Sequence, residues 1–272
     1  MELMNLKSSD GILLEAAFHK AKSATPIGIL ILAHGISVNM DEGGMFVNLA
    51  EKCADNGFDV VRFSFRGHGK SGGTQKEVTI AGEMLDLQTT IQYAKSKSDK
   101  PLSIVAASFG ATSTCLSLPT IERQLKGLVL WNPVLDLQDT FIHPSLPWGK
   151  KNFNKQNVKR LATDGFFLID DEFMVGPELY KEWERLKPYN YFYASKIPSI
   201  IVHGDKDSYV SYKVSKTACK RRRNCELFTI KNSDHGFDKK EHADQAIAIT
   251  VNWLNKIYKK PSMGFFSKLF GR

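Results

Sequence analysis

With 272 residues, 42% of them hydrophobic and 24% charged, the chain falls in the globular range and is long enough to bury one large core. Its longest apolar runs, such as Ile29 to Ala33, fall far short of the roughly 18 residues a bilayer span needs, which excludes an integral membrane span. The formal charge of +8 is partly local, in "CKRRRN" at 219–224 and in the lysine-rich C-terminus; with no helix-turn-helix, RNA-binding or zinc-finger pattern beside them, these read as solvated helix ends and not as nucleic-acid contacts.

In chain order, the N-terminal "MELMNLKSSDG" lacks a basic stretch followed by an apolar core and a small-residue cleavage site, so no secretory signal and a cytoplasmic location are expected. Apolar runs then recur as "GILLEAAF", "IGILILA", "FDVVRFSF", "LSIVAA", "KGLVLW", "IPSIIVHG" and "CELFTI", each bounded by Gly, Pro or polar residues as strands are. Helical segments lie between most of them. Met45 to Asn56 ends at Gly57, a natural C-terminal stop, and Glu83 to Lys97 puts Met84, Leu87, Ile91 and Ala94 on one face. Further helices are expected from Phe109 to Leu118, Tyr212 to Arg222 and Glu241 to Tyr258. Strands rich in Val, Ile and Leu that alternate with helices predict an α/β fold, a mostly parallel central sheet covered on both faces.

The alternation fails between 135 and 196, where aromatic and charged residues mix in "HPSLPWGKKNFNKQN" and "LIDDEFMVGPELY". This predicts an inserted cap or lid on a core formed by 1–134 and 197–260. Its Phe141, Trp148, Phe153, Phe166, Phe167, Phe173, Tyr180 and Trp183 either line a pocket for an apolar or aromatic group or form a small core that holds the cap together. After the last helix, "PSMGFFSKLFGR" at 261–272 reads as a C-terminal tail, disordered, packed or a short amphipathic segment. The four cysteines, Cys53, Cys115, Cys219 and Cys225, show no C-x-x-C spacing and are expected as reduced structural thiols, with no zinc site.

The stretch "SIVAASFGATST" at 103–114 sets Ser108 between an apolar run and a small-residue segment that opens a helix. Ala106-Ala107-Ser108-Phe109-Gly110 is one residue from G-x-S-x-G, in which a sharp strand-to-helix turn lifts a serine hydroxyl above a sheet. A serine hydroxyl is a poor nucleophile near neutral pH, so it needs a base within reach and a third group to orient that base. Downstream, "SIIVHGDKDSYV" ends an apolar run in a loop with Asp205 and Asp207, and "IKNSDHGF" ends the next in a loop with His235. The order is Ser, Asp, His. His34, His68 and His203 read as loop or strand-end residues that satisfy nearby backbone.

With "LAHGIS", "RFSFRGHGKSGG", "AASFGA", "HGDKDSYV" and "DHGF" in this order, the chain resembles the α/β-hydrolase superfamily, especially bacterial cinnamoyl and feruloyl esterases and serine-aminopeptidase-like hydrolases. The resemblance covers all but the cap and tail. It departs in two places: Ala106 stands for the usual first glycine of the elbow, and Ser64 stands where such families often carry aspartate in R-x-D-x-R-G-x-G. Carried over residue by residue, it implies Ser108 as nucleophile, His235 as base and Asp207, the aspartate of H-G-x-x-D-x-x-V, as acid, with Asp205 shaping the loop. The backbone N–H groups of Ile36 and Phe109 would form the oxyanion hole. No cofactor and no metal are required.

The expected activity is hydrolysis of a small-molecule carboxylic ester with a sizeable apolar or aromatic group, through an acyl-enzyme. A macrolide-type lactone esterase, a thioesterase, an acyltransferase or a peptidase would use the same triad, and a non-catalytic binding module would keep the fold alone. Metal-assisted and nucleotide hydrolysis lack their motifs, since there is no H-E-x-x-H and no G-x-x-x-x-G-K-[ST]. A glycosidase would need two carboxylates facing each other across a sugar, which the ordered hydrolase motifs make the poorer reading.

Overall fold

The structure, a computed structural model, describes residues 1–258, so the tail at 261–272 lies outside the described residues. The strands are Glu2–Lys7 (β1), Leu13–His19 (β2), Gly28–Ala33 (β3), Phe58–Phe63 (β4), Leu102–Ala107 (β5), Leu125–Trp131 (β6), a short hairpin Phe167–Ile169 (β7) and Phe173–Val175 (β8), then Ser199–Gly204 (β9) and Cys225–Ile230 (β10). Eight of them form one sheet in the order β1-β2-β4-β3-β5-β6-β9-β10, antiparallel at β1·β2 and β2·β4 and parallel elsewhere. The helices are Met45–Asp55 (α1), Ile80–Lys97 (α2), Gly110–Ile121 (α3), Pro147–Asn152 (α4), Lys155–Thr163 (α5), Pro177–Arg185 (α6), Pro188–Ala194 (α7), Tyr212–Arg221 (α8) and Lys240–Tyr258 (α9).

Period-two alternation sorts each central strand between two apolar layers. Along β3, Ile29, Ile31 and Ala33 face the layer of α2, α3 and α8, while Leu30 and Leu32 face Phe46 and Leu49 of α1 and Val251 and Leu254 of α9. Both faces are covered, which is why these strands read as unbroken apolar runs. Gly57, at φ +91°, takes the left-handed turn after α1. Thr79 caps α2 by accepting the Gly82 N–H, so that helix starts three residues before the first one expected.

Three strands and one cysteine pair depart from the sequence expectation. β1 leaves no apolar run because it is an edge strand with only Leu6 buried, and β7 and β8 leave none because each has three residues. Cys219 and Cys225, read as reduced thiols, form a disulfide: the turn after α8 folds the start of β10 back until the two Cα atoms are 5.0 Å apart, a proximity that a spacing of six residues does not announce. Cys53 and Cys115 are free and buried, and burial pushes both thiols up to about 12. Among the described residues no helix is long and apolar enough to cross a membrane.

Between β6 and β9 a third cluster gathers Phe141, Phe153, Phe167, Phe173 and Trp183 around Phe109. Phe141 stacks on Trp183 at 4.1 Å and meets Phe153 edge-on at 5.1 Å. Most of the aromatic side chains in this segment therefore hold it together.

Candidate active site

The carboxyl ends of the parallel strands β3, β5, β6, β9 and β10 follow one another across the sheet, so the loops after them meet at one edge. At the end of β5 the chain turns into α3 through Ser108, whose φ of +47° is in the left-handed region that a serine adopts only when its surroundings impose it. Its N–H donates to Trp131 O at 2.8 Å and its C=O accepts from Val134 N–H at 3.0 Å, so the end of β6 and the loop after it clamp the turn. Gly110 lets α3 start against β3: a Cβ there would lie 2.3 Å from His34 O and 2.6 Å from Ala33 O. Gly110→Ala is therefore expected to lower stability by about 1–3 kcal/mol, because two backbone carbonyls have nowhere to move. A urea melt checks it, and an unchanged midpoint would contradict it.

Ser108 Oγ lies 2.9 Å from His235 Nε2, and His235 Nδ1 lies 2.8 Å from Asp207 Oδ2. With Nδ1 protonated toward the carboxylate, Nε2 presents its lone pair to the serine hydroxyl. Asp207 Oδ1 accepts the N–H groups of Tyr209 and Val210 at 2.9 and 2.7 Å, and Oδ2 also accepts from His203 Nε2 at 2.9 Å. Burial opposes the Asp207 charge, but the charge of His235 and the bonds from His203 and His235 outweigh it and hold the carboxyl well below the usual range. Burial likewise opposes a charged His235, and the carboxylates of Asp207, Glu42 and Asp234 outweigh it, raising its pKa.

His203, expected as a strand-end residue that satisfies nearby backbone, reaches the Val210 carbonyl and is also the inner partner of Asp207. Its Nε2 faces the carboxylate and Val210 O, so it carries the proton, and Nδ1 accepts from Ser215 Oγ at 2.8 Å. Asp205 points away: it accepts from Asn232 N–H at 2.7 Å and Lys231 Nζ at 3.1 Å. Asp234 ties the two loops together by accepting from Ser208 N–H and from its neighbour His235 N–H, both at 2.7 Å.

At the end of β3, His34 Nδ1 donates to Gly35 O at 2.7 Å while its Nε2 accepts from Phe65 N–H at 2.9 Å. That carbonyl belongs to the Gly35–Ile36 peptide, so the bond fixes the plane in which the Ile36 N–H points the opposite way. Among the described residues neither the Ile36 nor the Phe109 N–H has a protein acceptor. Glu42, which sequence reasoning missed, accepts the Gly35 N–H at 2.7 Å, and burial pushes its carboxyl up to about 7 against the pull of that bond. His68 bonds Arg66 O at 2.9 Å and stays outside the group. Ser64, standing where an aspartate was expected, reaches the Glu15 carboxylate at 3.1 Å, so an acid from β2 occupies that corner.

Ser108 and His235 open into a cavity of about 400 Å³ whose walls include Ile36, Phe141, Trp148, Tyr209 and Val210. A larger groove of about 890 Å³ between α1 and α9 contains none of Ser108, His235 or Asp207.

The sequence model of a family described as "Serine aminopeptidase, S33" matches residues 24–166. A protein of Shewanella woodyi called "Acyl transferase" is 25% identical over 239 residues, which cover 85% of this chain and 75% of that one. Est1E of Butyrivibrio proteoclasticus, solved with ferulic acid bound, superposes with a TM-score of 0.80 at 22% identity over 94% of this chain and 100% of the other. An esterase of Pyrococcus furiosus gives 0.73 at 20% identity, over 94% and 90%.

Proposed function

The chain belongs to the serine aminopeptidase S33 family, with its α/β-hydrolase fold, and from that premise we propose that it is a serine carboxylesterase. The observation that carries this reading is the unbroken line of hydrogen bonds from Ser108 Oγ through His235 to Asp207, at 2.9 and 2.8 Å. His235 takes the hydroxyl proton as Ser108 attacks the ester carbonyl. Asp207 keeps the ring oriented and stabilises the imidazolium. The N–H groups of Ile36 and Phe109 receive the oxygen that becomes negative, and their lack of a protein acceptor suits that role. His235 then protonates the departing alcohol, and water releases the acid by the reverse sequence.

Residues 135–196 act as a cap that selects the substrate, since Phe141 and Trp148 from this segment reach the cavity. An ester with an apolar or aromatic part fits those walls, each Å² of apolar surface buried contributing about 25 cal/mol. Catalytic efficiency is expected to rise from acetyl to butyryl to hydroxycinnamoyl esters. A panel that also includes long-chain acyl esters and a macrolide lactone checks it, and acetate as the clear best substrate would overturn the substrate reading.

The Shewanella relative's name favours a second reading, in which the same acyl-enzyme passes its acyl group to an acceptor other than water. Turnover in the presence of added alcohols, with ester and acid products counted separately, decides between them. Acid as the dominant product supports the esterase.

A further inference from the structure

We propose that Tyr209, backed by Trp148, is a positioning residue for His235: a column of three stacked rings holds the imidazole in the plane that reaches Ser108 and favours the ring when it carries the proton. The proposal rests on the reading of His235 as the base.

The Tyr209 ring lies on the His235 ring at 4.9 Å between centroids and 6° between planes. Trp148 in turn stacks on Tyr209 at 4.8 Å and 11°. Neither Tyr209 nor Trp148 is free to drift. Tyr209 follows Asp207 by two residues and its N–H binds Asp207 Oδ1 at 2.9 Å, so the carboxylate that orients His235 also anchors the ring that covers it. Trp148, at the start of α4, donates its backbone N–H to Ser208 O at 3.3 Å and its indole N–H to Asp170 Oδ2 at 2.6 Å. Asn152 and Lys151 hold Asp170 from the other side, at 3.1 and 3.3 Å.

Two consequences follow from this geometry. A parallel ring on its face stops the imidazole from rotating, and rotation would break the bonds to Ser108 and Asp207 together. An aromatic face also attracts a cation more than a neutral ring, so the attraction grows as His235 takes the proton and is strongest when the tetrahedral intermediate forms. The other groups that face His235 are Asp207 at Nδ1, Asp234 beside it in the chain, Glu42 across the cavity, and Asp238, which lines the same cavity; His203 stands behind Asp207. All the carboxylates push in the same direction as the stack, and each stays in place when Tyr209 is changed.

The test compares Tyr209→Phe, which keeps the face, with Tyr209→Leu, which removes it. The base must be neutral to act, so kcat/KM rises with pH through the His235 pKa; losing a partner of the imidazolium lowers that pKa and moves the acid limb to lower pH. Tyr209→Leu is expected to move the limb down by about one pH unit and to lower kcat by about tenfold, with KM for a small soluble ester nearly unchanged. Tyr209→Phe should match the parent within about twofold, since a phenyl face also attracts a cation. A leucine variant indistinguishable from the parent, or a phenylalanine variant as impaired as the leucine one, would overturn the proposal. Should Tyr209→Leu fail to fold, Trp148→Leu reads the same limb, with a smaller shift in the same direction expected and no shift counting against the stack. An NMR titration of His235 in Ser108→Ala, with and without Tyr209→Leu, reads the pKa without any turnover. His235→Ala keeps the two readings apart: if it abolishes turnover while Tyr209→Leu behaves as the parent, only the stack is wrong, and if it leaves turnover intact, His235 is not the base.

Discussion

Ser108→Ala is expected to lower ester turnover by about 10⁶-fold, the scale seen when the nucleophile of a serine hydrolase is removed, while the protein still folds. The loss follows from chemistry, since the acyl-enzyme needs an oxygen and no other hydroxyl stands 2.9 Å from His235 Nε2 among the described residues. The fold survives because the turn is held by backbone bonds, from Ser108 N–H to Trp131 O and from Val134 N–H to Ser108 O, neither of which uses the side chain. Alanine bears the same strain at φ +47° that serine does. Rates on a p-nitrophenyl ester, with circular dichroism and a thermal melt alongside, check both halves. Residual activity within about tenfold of the parent would move the nucleophile elsewhere.

Asp207→Asn is expected to cost about 10⁴-fold in kcat, and Asp205→Asn less than about tenfold. Asp207 meets four donors, His235 Nδ1, His203 Nε2 and the N–H groups of Tyr209 and Val210, and only an ionised carboxylate accepts from all of them. An amide turns one acceptor into a donor. Either the imidazole changes tautomer, and Nε2 can no longer take the serine proton, or a buried bond is lost. Asp205 only braces its own loop to Asn232 and Lys231, so its replacement is felt as a loss of stability and not of turnover. Paired kcat and unfolding measurements separate the two, and the opposite ranking would make Asp205 the acid.

Much of the fold can be read from the sequence because fully buried parallel strands leave an unmistakable mark. The run "GILILA" has no polar residue to interrupt it, and the register of β3 on β5, Ala33 beside Ala106, brings the ends of both to one level. The elbow is legible for a related reason: the backbone carbonyls beside Gly110 admit no side chain, so the glycine appears in the sequence. At the first position of the motif the buried Ala106 fits, which explains why a departure there leaves the turn intact. Relations across strands leave no such mark. His203 follows an apolar run as many structural histidines do, and nothing nearby in sequence shows that it and His235 share one carboxylate. Glu42 is acidic in a polar stretch, and only folding puts it on the Gly35 N–H. Trp148 and Tyr209 are 61 positions apart, too far for any spacing rule to stack them.

The central claim is that Ser108 carries the acyl group, and covalent labelling tests it most directly. The folded protein is treated with a fluorophosphonate, which esterifies an activated serine, and the adduct is located by peptide mass spectrometry. One adduct on Ser108, with loss of ester turnover in proportion to labelling and no adduct on the Ser108→Ala protein, is the predicted result. An adduct on another serine such as Ser64 or Ser113, or ester turnover that persists after Ser108 is fully labelled, would contradict it.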